Sequence, residues 1–295
     1  MKLIFAALLL LSISTSCSFN KMFLYPTKYP PELKFITIST PTDTILIHID
    51  SSNYQPTFTN PNKEVIDLAY TIESVKFKSN NGNFLVGWML KSKNSSPEIT
   101  LLHFHGNAGS IIDHHRALVP LLDNGFQVFA FDYSGFGFSE GKATRKNVLI
   151  DGNSALNYLI KREDVKDTKI VIYGQSLGGH LAAVVGEQNQ SLVDGVVIEG
   201  AFSSHKDIGK ETAGFFGELF VKEQYSAVES IQNFHKPVLI IHSSEDDVIP
   251  IALGRKIYDH ANESKEFYEI DGCHICGPSL YSKEIAEKFK RMLKE

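Results

Sequence analysis

The chain has 295 residues, 43% hydrophobic and 21% charged, and its 29 Lys and Arg against 34 Asp and Glu give a formal net charge of -5. These are the proportions of a globular protein long enough to bury a core without covalent staples, and 3 cysteines are too few for a disulfide scaffold. A mildly acidic balance with no Lys/Arg block lacks the concentrated basic surface a nucleic-acid binder needs, so no nucleic-acid partner is expected.

Met1 to Ser16 carries one Lys, an apolar run from Leu3 to Leu11 and then small polar residues, the layout of an export signal. The run is too short to span a bilayer. Ser14-Thr15-Ser16-Cys17 resembles the lipobox of bacterial lipoproteins, without the Leu usual three places before the Cys. Three readings stand: cleavage before Cys17 with lipidation of that cysteine, plain secretion, and an uncleaved anchor. The first is preferred. It makes Cys17 a membrane anchor and puts the soluble part at a membrane surface, facing the periplasm or the cell exterior.

Residues 17–69 are rich in Pro, Thr, Asn and Tyr, with one alternating stretch, Thr44 to Ile49, and read as an N-terminal arm with one strand. The texture then changes. Short β-rich runs begin at Ser74, Asn83, Ile99, Phe126, Lys169, Gly195, Pro237 and Glu266. Helical stretches alternate with the later ones: Ser110 to Asp123, Lys146 to Arg162, Leu177 to Glu187, Ile251 to Ala261 and Ser282 to Leu293. Alternation of this kind predicts an α/β fold, an eight-stranded mostly parallel sheet with helices on both faces. Asn80-Asn81-Gly82-Asn83 separates the first two runs and predicts an antiparallel hairpin at the start.

Gly174-Gln175-Ser176-Leu177-Gly178 follows one predicted strand and opens a helix. A nucleophile elbow needs that placement, because a sharp strand-to-helix turn lifts the serine above the sheet at a helix N-terminus. A serine also needs an imidazole base oriented by a carboxylate. Downstream, the loop after the strand ending near His242 carries Glu245, Asp246 and Asp247, and His274 follows the last strand. His103 lies in an apolar strand, and His114, His115 and His260 lie on or near helices, where packed or surface histidines are the simpler reading. The oxyanion hole in this arrangement uses the N–H after the nucleophile, Leu177, plus one from the Gly-containing loop His105 to Gly109, where Asn107 is selected.

The segments His103 to Gly109, Phe131 to Gly141, Tyr173 to Gly179 and the Asp246 and His274 loops together resemble the α/β-hydrolase superfamily, and within it the Bem46-like serine hydrolases. The similarity runs from about Tyr70 to the C-terminus, and Phe23 to Pro30 resembles the family's N-terminal arm. The resemblance implies an α/β-hydrolase fold and a Ser176, Asp246, His274 triad. Its H-G-x-x-D-x-x-V-P pattern, counted from His242 and back from Pro250, selects Asp246, with Asp247 as the fallback. The chain departs from the family by Ser243 for Gly, by Ser134 for Arg, which removes a support for that loop, and by Cys276. Cys273 and Cys276 bracket His274; a disulfide there suits an exported protein, against redox, metal or simply apolar roles.

Gly135 to Gly141 approaches a dinucleotide fingerprint, but its third Gly is one residue late and its strand is the fourth. No cofactor and no metal are expected. Between strands, residues 203–236 leave room for a short lid with helices near Gly214 to Val221 and Ala227 to Asn233. Its cluster of Phe215, Phe216, Leu219 and Phe220 either lines an acyl site or packs on the core, and packing is preferred. The expected organisation is a signal peptide over 1–16, an arm over 17–69 and a single α/β-hydrolase domain over 70–295. The expected function is hydrolysis of a small-molecule carboxylic ester. The alternatives are an amidase or aminopeptidase on the same triad and a non-catalytic surface-binding protein.

Overall fold

A computed structural model describes residues 23–39 and 44–294. The leader expected over 1–16 and the candidate lipidation site Cys17 lie outside them. Among the described residues no helix is long and apolar enough to cross a membrane.

The strands in chain order are β1 (Tyr25–Pro26), β2 (Phe35–Ser39), β3 (Thr44–Ile49), β4 (Pro56–Thr59), β5 (Tyr70–Lys78), β6 (Phe84–Ser92), β7 (Ile99–Phe104), β8 (Ala108–Gly109), β9 (Phe126–Phe131), β10 (Lys169–Gln175), β11 (Gly195–Glu199), β12 (Val238–Ser243) and β13 (Lys265–Ile270). The principal sheet has 8 strands in the order β13-β12-β11-β10-β7-β9-β6-β5. All eight β-rich runs of the sequence are in it. Only β5–β6 and β6–β9 pair antiparallel; the other pairs are parallel. The chain steps from β7 to β9 on one side and returns to β10 on the other. Loops after the C-terminal ends of β7 and β10 therefore diverge and leave a crevice between them, the switch point where ligands bind in such sheets.

The strands of the sheet interior are apolar at nearly every position because both faces are covered. Ile170 and Ile172 of β10 point into one core while Val171 and Tyr173 point into the other, the period of 2 that a strand imposes. The first core is closed by α3 (Arg145–Leu159), α4 (Leu177–Gln188), α6 (Ala227–Ile231) and α7 (Ile251–His260). On the second lie α1 (Ile111–His114), α2 (Val119–Leu122) and α8 (Gly277–Met292). The single helix expected over Ser110 to Asp123 is thus two short ones. Pro120 has no N–H for the carbonyl four residues back, so a continuous helix fails there.

The arm holds more structure than its one predicted strand. Strands β2, β3 and β4 form an antiparallel sheet of their own, whose Ile47, Ile49 and Phe58 enter the second core. In the lid, α5 (His205–Phe220) starts well before the expected Gly214 because Ser204 caps it, accepting from the Asp207 N–H at 3.0 Å. It breaks at Ala213 and Gly214, the latter at φ 58°. Its two halves then fold onto each other so closely that a Cβ on Gly217 would lie 1.8 Å from the Gly209 carbonyl. The lid aromatics do not pack on the core: Phe215, Phe216 and Leu219 are exposed.

Ser134, where the resemblance expects Arg, is held by α3. Asp151 accepts from the Ser134 N–H at 2.7 Å, the Ser79 hydroxyl at 2.6 Å and the Asn81 amide at 2.8 Å. One carboxylate thus joins the β5–β6 hairpin to the loop after β9. Asp151→Ala leaves those three donors without their acceptor and should lower stability by about 2–4 kcal/mol; a urea midpoint shift worth less than about 0.5 kcal/mol would remove Asp151 from this role.

Candidate active site

β10 ends at Gln175 and α4 begins at Leu177, so Ser176 makes the whole turn, at φ 56° and ψ −119°. A positive φ is strained for any residue with a Cβ, by roughly 1–3 kcal/mol. The surroundings hold it: the Ser176 N–H donates to the Glu199 carbonyl at 2.8 Å, and its own carbonyl accepts from the Gly179 and His180 N–H groups at 3.0 and 3.2 Å. Backbones pack at contact distance here. A Cβ on Gly174 would sit 2.0 Å from the Gly178 carbonyl oxygen, and one on Gly178 would sit 1.9 Å from that of Phe104. The G-x-S-x-G spacing is therefore a packing requirement of this turn.

Asp246 lies in the loop after β12 and His274 in the loop after β13. The His274 Nδ1 donates to Asp246 Oδ2 at 2.6 Å, and His242 Nε2 lies 3.2 Å from the same oxygen. Oδ1 accepts from the Val248 and Ile249 N–H groups at 2.9 and 2.8 Å. Burial alone would push this carboxyl up, but the bonds from His242, His274 and the Ile249 amide outweigh it and hold the group well below the usual carboxylate range. Asp247, the fallback, is exposed. With its Nδ1 proton given to Asp246, His274 keeps a lone pair on Nε2, a buried atom without a protein partner. His274 and Ser176 line the same cleft.

Two departures from the family pattern act on these loops. The Ser243 hydroxyl donates to the Gly272 carbonyl and accepts from the Glu245 N–H at 3.1 Å, tying the acid loop to the base loop. Cys273 and Cys276 are joined in a disulfide around His274.

Asn107 and Leu177 also line the cleft. Leu177 is the first residue of α4, so its N–H has no carbonyl four residues back to bond. The loop carrying Asn107 is held at both of its peptide planes. The Gly106 carbonyl accepts from His105 Nδ1 at 2.9 Å, and the Asn107 carbonyl accepts from the Tyr25 N–H at 2.7 Å. Because a trans peptide points its N–H opposite its C=O, fixing the Gly106 carbonyl fixes the direction of the Asn107 N–H. The Tyr25 bond belongs to the β1–β8 pairing, which brings the arm into the site; the Pro- and Tyr-rich arm carries no sequence signal for that contact.

Glu199 was also invisible to sequence reasoning, since it reads as one polar residue in an apolar strand. It is buried at the end of β11, and burial raises its pKa. It accepts from the Tyr173 hydroxyl at 3.0 Å, the Gln175 amide at 2.7 Å and the Gly277 N–H at 2.7 Å. The carboxyl thus joins the strand that presents Ser176 to the helix that follows His274. His103, read as packed, lies 3.1 Å from Gln175 through Nε2, with its pKa lowered to about 3 by burial. His114, read the same way, lines the cleft.

The cleft has a volume of about 280 Å³ and is walled by Leu177, Phe202, Ile208, Val221 and Ile249 with Phe23 of the arm. Beside it, His180, His205 and Glu223 bring possible ligand atoms within 4.8 Å of one another, the one set among the described residues that could hold a metal ion. These groups also fasten the lid. Glu223 accepts from the His205 and Lys206 N–H groups at 3.1 and 3.0 Å and from His205 Nδ1 at 2.9 Å, capping α5, and burial lowers the pKa of both histidines.

The profile of the alpha/beta hydrolase fold matches residues 99–229. YfhR of Escherichia coli O157:H7 is 35% identical over 212 residues, which cover 70% of this chain and 74% of YfhR. Bem46 of Schizosaccharomyces pombe is 32% identical over 168 residues, 55% of this chain and 56% of Bem46. Among solved structures, an esterase of Pyrococcus furiosus superposes with a TM-score of 0.67 at 18% identity, covering 92% of this chain and 97% of that one.

The depressed pKa of Asp246 gives a linkage test. Its bonds stabilise the fold above the unfolded carboxyl value near about 4, and the contribution is lost as pH falls through the lower folded value. The stability gap between the native chain and Asp246→Asn, measured by urea unfolding, should be largest at neutral pH and shrink below about pH 4. A gap independent of pH would contradict an ionised Asp246.

Proposed function

The chain belongs to the α/β-hydrolase family, and on that premise we propose that it is a serine hydrolase that cleaves carboxylic esters through an acyl-enzyme. The observation that carries this reading is the 2.6 Å bond from His274 Nδ1 to Asp246, with the His274 Nε2 lone pair uncommitted in the cleft that Ser176 lines. The Ser176 oxygen attacks the ester carbonyl carbon and its proton passes to His274 Nε2. The charge on the carbonyl oxygen falls to the N–H groups of Leu177 and Asn107. Collapse expels the alcohol, which takes the proton from His274. Water then attacks the acyl-serine with His274 as base, releasing the carboxylic acid and restoring Ser176. One water is consumed for each ester bond broken.

Nucleophile–base contacts of this kind often tighten only in the reacting complex, so the pair need not be bonded beforehand. An apolar cleft with a few polar groups at one end suits an acyl chain whose carbonyl lies at the polar end. The esterase of the same fold agrees with an ester substrate. We also propose the organisation read from the sequence, with export and a lipid anchor at Cys17. An unmodified Cys17 in the mass spectrum of the mature protein would refute the anchor.

A fluorophosphonate probe should label the protein at Ser176, and Ser176→Ala should abolish labelling and lower kcat on p-nitrophenyl esters by about 10⁴-fold or more. Labelling that survives Ser176→Ala would sink the mechanism, and faster turnover of aminoacyl anilides than of esters would favour an amidase. The arm supplies a second test. A chain beginning at Phe23 should keep full kcat, whereas one beginning at Glu32, which lacks β1, should lose about tenfold or more through a misplaced Asn107 N–H. Equal kcat for the two would free the oxyanion loop from the arm.

A further inference from the structure

We propose that the rim of the cleft docks on a lipid bilayer and that the ester cleaved is an acyl lipid presented by that bilayer. The substrate half of this proposal rests on the serine-hydrolase reading; the docking half rests instead on the N-terminal anchor proposed above.

The rim is unusually apolar. Phe215, Phe216 and Leu219 are 70%, 62% and 59% exposed, Val248 is 59% exposed and Tyr25 is 55% exposed. Val248 and Tyr25 line the cleft themselves, and the lid residues follow Ala213, another lining residue, directly beyond the break in α5. The one charged residue within 215–220 is Glu218, itself exposed. Gly217 is buried against Gly209, and Glu218 turns back to pair with Lys210 of the other half of the helix at 3.5 Å. Phe216 and Phe220 stack at a centroid distance of 6.3 Å, so the aromatics form one patch. Large exposed apolar patches beside a binding cleft mark a surface that something covers.

The position of Phe23, with Cys17 upstream of it in the sequence, points to a bilayer. The described chain begins at Phe23, which lines the cleft and sets its ring edge-on to His205. Five residues separate it from Cys17, and the six steps between the two span about 20 Å at full extension. An acyl group on Cys17 would hold a bilayer within that distance of the cleft mouth, and the apolar run Leu3 to Leu11 retained as an anchor would hold one within about twice that distance. The apolar rim then gives the protein a second hold on the same surface. A lipid seated there passes its acyl chain from bilayer to cleft along an apolar path, with the ester carbonyl brought to Ser176. The fatty acid released returns by the same route.

The test uses the full chain in vesicles of phosphatidylethanolamine and phosphatidylglycerol. Phe216→Trp places a fluorophore on the rim, while the one native Trp, Trp88, is buried. Brominated acyl chains should quench at least half of the added emission. Absence of quenching would overturn docking, whether the rim then proves bare or covered by a second copy or another protein. The triple variant Phe215→Ser, Phe216→Ser, Leu219→Ser should lower hydrolysis of a diacylglycerol carried in the vesicles at least tenfold and leave hydrolysis of soluble p-nitrophenyl butyrate within twofold. Equal losses on both substrates, or none on either, would overturn the lipid substrate while leaving the serine-hydrolase reading standing. Failure of the native protein to hydrolyse either ester would remove that reading and the lipid substrate with it, and the quenching result would still decide docking.

Discussion

A serine at φ 56° is the constraint around which this molecule is arranged. The conformation is unfavourable in isolation and persists because backbone crosses backbone on both sides of it. Gly174 meets Gly178, and Gly178 meets the carbonyl end of β7. That contact requires β7 and β10 to be neighbours, which the strand order provides, and it requires α4 to leave the sheet steeply. The turn also sets the first residue of α4, with its unbonded N–H, beside the serine. One local strain thus positions both a hydroxyl and a donor.

The other groups arrive on three separate loops, and their alignment depends on bonds between loops rather than on any one element. Glu199 ties β10 to the start of α8, and the Ser243 hydroxyl ties the acid loop to Gly272. Gly200, at φ 57°, lies where a Cβ would meet the His274 carbonyl at 2.7 Å. Each such bond is worth only about 1 kcal/mol net, but each removes a direction in which one loop could drift against another. Asp246 shows the outcome: it accepts from two imidazoles and two amides, so its charge is held against the burial that would otherwise neutralise it.

The sheet was legible because its strands are long apolar runs with turn residues between them, and every predicted run became a strand. The proposed triad was legible for a related reason: a strand ending in G-x-S-x-G, an acid loop and a histidine after the last strand occur in an order that few other folds would produce. What the sequence hid was long-range and made by backbone. Tyr25 reaches Asn107 through main-chain groups that any residue carries. Glu199 looks like a solvent-facing break in a strand until its three donors are seen. The break near Pro120 is written in the sequence as well, because a proline has no N–H with which to continue a helix from the preceding turn. The lid aromatics misled in the opposite direction. Their helical spacing implied a buried face, and only the Gly209–Gly217 contact shows that the helix folds on itself and turns that face outward.

The arm joins these two hidden features. Its first described residue, Phe23, lies in the wall of the cleft, and the next pair with the loop that carries Asn107 through hydrogen bonds of 2.7 and 3.1 Å from the Tyr25 and Thr27 N–H groups. The same strand continues to Gly137, whose N–H donates to the Thr27 carbonyl at 2.7 Å and whose own carbonyl accepts from the Tyr29 N–H at 2.9 Å. Gly137 leaves no room for a side chain, because a Cβ there would lie 1.9 Å from the Asp132 carboxylate. The arm is therefore hydrogen-bonded on two sides, to the loop that carries Asn107 and to Gly137. A surface that bound the N-terminus would set the position of the cleft mouth relative to itself, and it would do so through the segment that also steadies the oxyanion loop.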